Sequence, residues 1–138
     1  MPGYVSALGD CLLIPVGAKN HLCFVVCSPM LIHAYGATQQ VIVVNATTIY
    51  ENSPFDNACI LDANCHPFIT HASYIAYWDM HPKAVSHVSM MVDKGFWKQK
   101  PPCSQEVITK VIGGACASKA AANELKLALK CPGVIPRA

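Results

Sequence analysis

The sequence predicts an α+β fold: a small barrel of five to six short, mostly antiparallel strands followed by C-terminal helices. Three observations lead there. Short apolar runs rich in β-branched side chains, punctuated by Gly, Pro, Asn and Asp, recur as far as about residue 92. From Ser104 the apolar spacing lengthens from two to the three-and-four rhythm of a helix. A chain of 138 residues supports one apolar core. A single domain, 1–138, is therefore expected, with the barrel at about 8–100 and the helices at about 104–130.

Taken in order, DCLLIPV (10–16) reads as the first strand, and the loop after it carries Lys19, Asn20 and His21. In LCFVVCS (22–28) both parities are apolar: Leu22, Phe24 and Val26 on one face, Cys23, Val25 and Cys27 on the other. Successive side chains of a strand point to opposite faces, so this strand is expected to be buried on both. VIVVN (41–45) is a third strand, closing in Ala46, Thr47 and Thr48. ENSPFDN is turn chemistry, ACILD a fourth strand, ITHASYIAYWD a fifth, and VSMMV (88–92) a sixth before the DKG turn. In the C-terminal region Ser104 suits a helix N-cap with Glu106 in the first turn. Gly113-Gly114 predicts a division into two helices, the second starting near Ser118, because glycine disfavours helix interiors.

Hydrophobic residues make up 53% of the chain and charged ones 13%, about half the usual share, so much of the surface is expected to be neutral or engaged with a partner. A net charge of +2 permits a polyanionic ligand without implying one. The eight cysteines lie within apolar runs and form no C-x-x-C pair, which reads as reduced thiols used as small hydrophobes in a cytoplasmic protein. The N-terminal stretch has no basic segment, and Asp10 interrupts its apolar run, so no signal peptide is expected. No apolar run reaches the ~20 residues of a membrane span. The absence of a glycine-rich phosphate loop and of G-x-S-x-G disfavours nucleotide-dependent and serine-hydrolase functions.

HPFITHASYIAYWDMHP (66–82) holds three of the six histidines. If 71–77 is a regular strand, His71, Ser73, Ile75 and Tyr77 share one face. His66 and His81 precede prolines, which reads as turn residues bounding that strand and leaves His71 as the one suited to chemistry. HASY at 71 and HVSM at 87 both fit the H-x-[ST]-apolar pattern of two-histidine phosphoesterases, but sixteen residues apart they read as coincidence. Asp56, Cys59, Cys65, His66 and His71 are of metal-ligand type without paired ligand spacing, so no metal or other cofactor is expected. Tyr74, Tyr77, Trp78, Phe96 and Trp97 suit base stacking or the centre of a protein interface, unless core burial claims them.

Gly9-Asp10, then HLCFVVCSP from His21 to Pro29, then VIVVNATT ending in Thr47 and Thr48, then Pro54-Phe55 and ASYIAYW, make an order of motifs that resembles the PemK/MazF family of toxin ribonucleases over about residues 8–112. The resemblance implies an SH3-like barrel, a homodimer, metal-independent cleavage of single-stranded RNA, and an antitoxin that covers the substrate groove. Two departures stand out: the Arg of the family's His-Arg-Pro is Leu22 here, and its Asp-Gln and nearby basic residue have no counterpart in PFITHAS. Transfer to the 2′-oxygen needs a base, an acid and a donor for the phosphorane charge, and histidine suits the first two near neutrality. Under the resemblance His71, Thr47 and His21 are the candidate catalytic residues, and Lys19, Thr48, Ser73 and Tyr77 the candidate substrate-binding ones. A second reading stays open: the same barrel, without the catalytic Arg, as a non-catalytic inhibitor or adaptor of a phage or mobile element that binds a protein partner. Leu22, the low charge and the abundance of apolar residues support it.

Overall fold

Gly17 starts the sheet. In the computed structural model, which describes residues 3–32 and 35–134, β1 (Cys11–Val16) and β2 (Lys19–Val25) pair antiparallel from Cys11↔Phe24 to Val16↔Lys19. Only Gly17 and Ala18 remain for the turn. Gly17 has φ +61° at the first turn position, where the twist of a tight hairpin favours positive φ. Lys19, Asn20 and His21, expected in a loop, therefore belong to β2; their polar character reflects exposure at the strand's end.

β3 (Gln40–Thr48) runs back along β2 through Val25↔Val43, Phe24↔Val44 and Cys23↔Asn45. Its other edge is shared. Residues 40–43 pair with β6 (His81–Ala84), and residues 46–48 pair with β5 (Ser73–Ile75), which in turn carries β4 (Ile60–Leu61). β7 (Lys98–Lys100) joins the far side of β1. Every pairing is antiparallel, in the order β4-β5-β3-β2-β1-β7 with β6 beside β5 on β3. The α+β class agrees with expectation; the sheet itself is open, with β4 and β7 as unpaired ends among the described residues, where a closed barrel was expected.

Helices cover both faces. Cys11, Leu22, Phe24, Val26, Ile42, Val44 and Ala46 join Val107, Ile108, Val111 and Ala115 of α2 (Gln105–Ala117) and Leu125 of α3 (Asn123–Ala128) in one core. Leu12, Ile14, Cys23, Val25, Val41 and Val43 form a second core with Trp97 and Val88 of α1 (Val85–Asp93). The twofold alternation of β1, β2 and β3 thus serves two cores, as the doubly apolar run at 22–28 requires.

The sequence reading misplaces three elements. VSMMV lies in α1, not in a strand: Val85, Val88, Met91 and Val92 recur at helical spacing along the side that meets the second core, and a short apolar run does not by itself distinguish the two. His81-Pro82 begins β6 rather than a turn; the ring fits because β6 pairs on one side only, leaving a position that needs no N–H. The fifth strand shrinks to β5, after which Tyr77–Asp79 forms a 3-10 turn that takes Tyr77 off the face of His71.

Ser104 caps α2 as expected, its Oγ accepting from Val107 N–H at 3.2 Å. Gly113-Gly114 does not divide that helix, and α3 begins at Asn123 rather than near Ser118. A β-carbon on Gly114 would collide with the Tyr77 hydroxyl and Cys59 Cβ, so the residue is there for close approach, whereas Gly113 faces open space. Tyr77 Oη donates to Val111 O at 2.6 Å across this contact. The cysteines also depart from expectation in one pair: Cys116 and Cys131 are joined as a disulfide between α2's last turn and the residues after α3, which return to a Cα separation of 5.3 Å. Such a bond is uncommon in the reducing compartment expected from composition. The other six are thiols. No described helix is long and apolar enough to cross a membrane.

Two stability predictions follow from this packing. Gly114→Ala is expected to lower the unfolding free energy by about 1–3 kcal/mol through overpacking, and Gly113→Ala to raise it by about 0.5–1 kcal/mol through helix propensity; urea titration separates them. Burial pushes the Cys23 thiol up to about 12 from 9.0, and Cys27 and Cys59 upward as well. Because the unfolded thiols ionise first, this stabilisation is complete below pH 9 and is lost as pH rises toward 12. The urea midpoint should fall over that range, less steeply in Cys23→Ala.

Candidate functional site

Antiparallel pairing puts the start of β2 beside the end of β3, and β5 sets Ser73 opposite Thr48. A cleft of about 160 Å³ opens where these ends meet, lined by residues 19–22, 46–48 and 68–71 with Tyr50 and Ser73. Strand pairing therefore brings Lys19, His21, Thr47, Thr48, His71 and Ser73 to one cleft from three separate parts of the chain. Tyr77, the remaining candidate, is not there: it is 1% exposed in the first core, and its hydroxyl is committed to Val111 O. The 3-10 turn after Ile75 breaks the alternation that would have kept Tyr77 on the His71 face.

Asn45 lies beside the cleft rather than in its lining, and in the sequence it marks only the end of a strand. It is 9% exposed, with Nδ2 3.0 Å from Thr47 Oγ1 and 3.5 Å from His21 Nδ1. A buried amide must find partners, and these two orient both candidate side chains. An amide closing an otherwise β-branched run was the signal available. Ser73 Oγ donates to His71 O at 2.9 Å, which holds the backbone at the mouth. The His71 side chain itself is exposed.

The opposite wall depends on His66, a turn residue as expected, whose ring is buried at 2% exposure. Its Nδ1 accepts from Phe68 N–H at 3.1 Å, so the ring proton sits on Nε2 and is donated to Pro101 O at 2.6 Å. Ile69 N–H reaches back to His66 O at 2.9 Å, closing the turn that presents Phe68 and Ile69 to the cleft.

The charge is one-sided. Among the described residues no carboxylate lines the cleft, while Lys19 does, with its Nζ 5.7 Å from the Tyr50 ring centroid. Lys100 Nζ, outside the cleft lining, lies 4.6 Å from the Phe68 ring centroid. The arrangement suits an anionic ligand.

Other sequence patterns are not assembled. His87 lies on α1 with its ring edge-on to Trp97 at 5.4 Å, in contact with the second core, so HASY and HVSM do not meet at this cleft. Asp56 accepts from Ala58 N–H at 2.9 Å and from Ser118 Oγ at 2.5 Å, and among the described residues no three metal-ligand side chains converge. No protein-family model matches the chain, and no curated protein matches it significantly.

His66→Ala is expected to cost about 2–4 kcal/mol, from two lost hydrogen bonds, an orphaned Phe68 N–H and a small cavity. Guanidinium titration with an unchanged m-value would confirm it, and a loss under about 0.5 kcal/mol would contradict the bonding described.

Proposed function

We propose that this cleft binds a phosphodiester of single-stranded RNA and cleaves it without metal by transfer to the 2′-oxygen, as the PemK/MazF resemblance implies. The observation that carries the reading is the convergence of His21, His71, Thr47 and Lys19 on a cleft free of carboxylates among the described residues.

His71, exposed at the mouth, takes the 2′-OH proton. His21 returns a proton to the leaving 5′-oxygen, and Thr47 and Lys19 stabilise the phosphorane charge. As oriented, the Asn45 amide donates toward Nδ1 of a neutral His21; turned over, its Oδ1 accepts from Nδ1–H of the imidazolium that acid catalysis requires. Thr48 and Ser73 remain as substrate-side hydroxyls, and Tyr50 and Phe68 offer faces for bases. An SH3-like ancestry, a homodimer, an antitoxin over the groove and a cytoplasmic setting belong to the same reading.

The adaptor reading draws on Trp78 and Phe96, 67% and 61% exposed, which are typical centres of a protein interface.

With chelator present, the protein should convert single-stranded RNA to fragments with 2′,3′-cyclic phosphate and 5′-hydroxyl ends. His21→Ala and His71→Ala should each slow this by about 10²-fold or more, and Lys19→Ala should weaken RNA binding and reduce its salt slope by about one. RNA left intact by folded protein removes the enzyme reading, and stoichiometric capture of one protein partner then favours the adaptor.

A further inference from the structure

None of the six thiols lines the cleft, yet two of them share a single backbone oxygen. Cys11 opens β1, and Cys103 directly precedes the Ser104 cap of α2. β7 pairs with β1 at Cys11↔Lys100, and the chain then turns through Pro101-Pro102 so that Cys103 N–H donates to Gly9 O at 3.1 Å. Cys103 Sγ lies 3.5 Å and Cys11 Sγ 3.8 Å from that same Gly9 oxygen. The two sulfurs therefore stand side by side against one carbonyl, on backbone segments already hydrogen-bonded together.

Their surroundings differ in a way that assigns roles. Cys11 is fully buried, while Cys103 is partly exposed. The neighbouring Cys11 thiol holds the Cys103 thiol below its ordinary range, and its interaction with Cys103, with burial, pushes Cys11 upward. Cys27 and Cys59 are driven upward, by burial first, as inert core thiols are.

We propose that Cys103 and Cys11 form a thiol–disulfide exchange site for low-molecular-weight disulfides, Cys103 attacking and Cys11 resolving. In the first step the Cys103 thiolate attacks one sulfur of R–S–S–R; the Cys103–S–R bond forms, the R–S–S–R bond breaks, and the departing RS⁻ takes up the proton Cys103 released. Cys11 sulfur then attacks Cys103 Sγ, the bond to SR breaks, and the second RS⁻ receives the Cys11 proton. The protein dithiol is oxidised by two electrons and the small disulfide is reduced to two thiols. The product bond ties the start of β1 to the residue before α2's cap, so the first turn of α2 becomes covalently fixed to the sheet.

The test uses the whole protein with its Cys116–Cys131 bond intact and excess oxidised glutathione at about pH 8, followed by acid quench, alkylation and non-reducing peptide mapping. The expected result is a Cys11–Cys103 cross-linked peptide, with titratable thiols falling from six to four. Cys11→Ser should accumulate glutathione on Cys103, and Cys103→Ser should leave position 11 unmodified. Wild-type protein that keeps both thiols alkylatable, holds glutathione on Cys103 without resolving it, or links Cys103 to Cys65 overturns the proposal; the wild-type map decides this even if a variant fails to fold.

Discussion

Strand β3 has neither a free edge nor a free face along most of its length, and the remaining architecture follows from satisfying both. Residues 43–45 pair with β2 on one side, and residues 40–43 and 46–48 pair with β6 and β5 on the other. Val41 and Val43 enter one core while Ile42 and Val44 enter the other. A doubly buried strand requires cover above and below, which α2 and α3 supply on one face and α1 with Trp97 on the other. Each large side chain fully buried there contributes about 1.5–3 kcal/mol, so the sheet's centre is the part least able to move.

The candidate site begins where that double burial ends. Past Val44 the strand carries Asn45, Thr47 and Thr48, with only Ala46 still in the core, and the partner strand there is in its polar first residues. The cleft is thus the frayed end of a rigid sheet, and its polar groups inherit the sheet's precision. Asn45 converts that into orientation by meeting Thr47 and His21 together, while His66 ties the opposite wall to Pro101 O. Lys19, with no carboxylate in the described cleft lining, then leaves a local field that an anion would relieve.

Close approach is the second organising device. Gly114 lets α2 settle onto Tyr77 and Cys59, and the Tyr77 hydroxyl closes on Val111 O. A similar economy of space at the start of β1 sets the Cys11 and Cys103 sulfurs against Gly9 O. At Gly114 a small residue stands where a larger side chain would force neighbouring elements apart.

Much of the sheet was legible in the sequence because strand burial leaves a local record: the short apolar run at 11–16, double apolar parity at 22–27 and the β-branched run at 41–44 each report their own surroundings. The α2 cap was legible for the same reason, since Ser104 acts on an N–H three residues away. The grouping of His21, Thr47 and His71 entered through a family likeness, and the roles of Asn45 and His66 were missed, since both depend on partners supplied by other segments. VSMMV, Gly113-Gly114, Tyr77 and the Cys116–Cys131 bond were decided only by tertiary structure. Whether an apolar run coils, whether a glycine breaks a helix or admits a neighbour, where an aromatic ring points and which sulfurs meet are settled by atoms distant in the chain. Local propensity differs by under about 1 kcal/mol between such alternatives, less than the packing that selects among them.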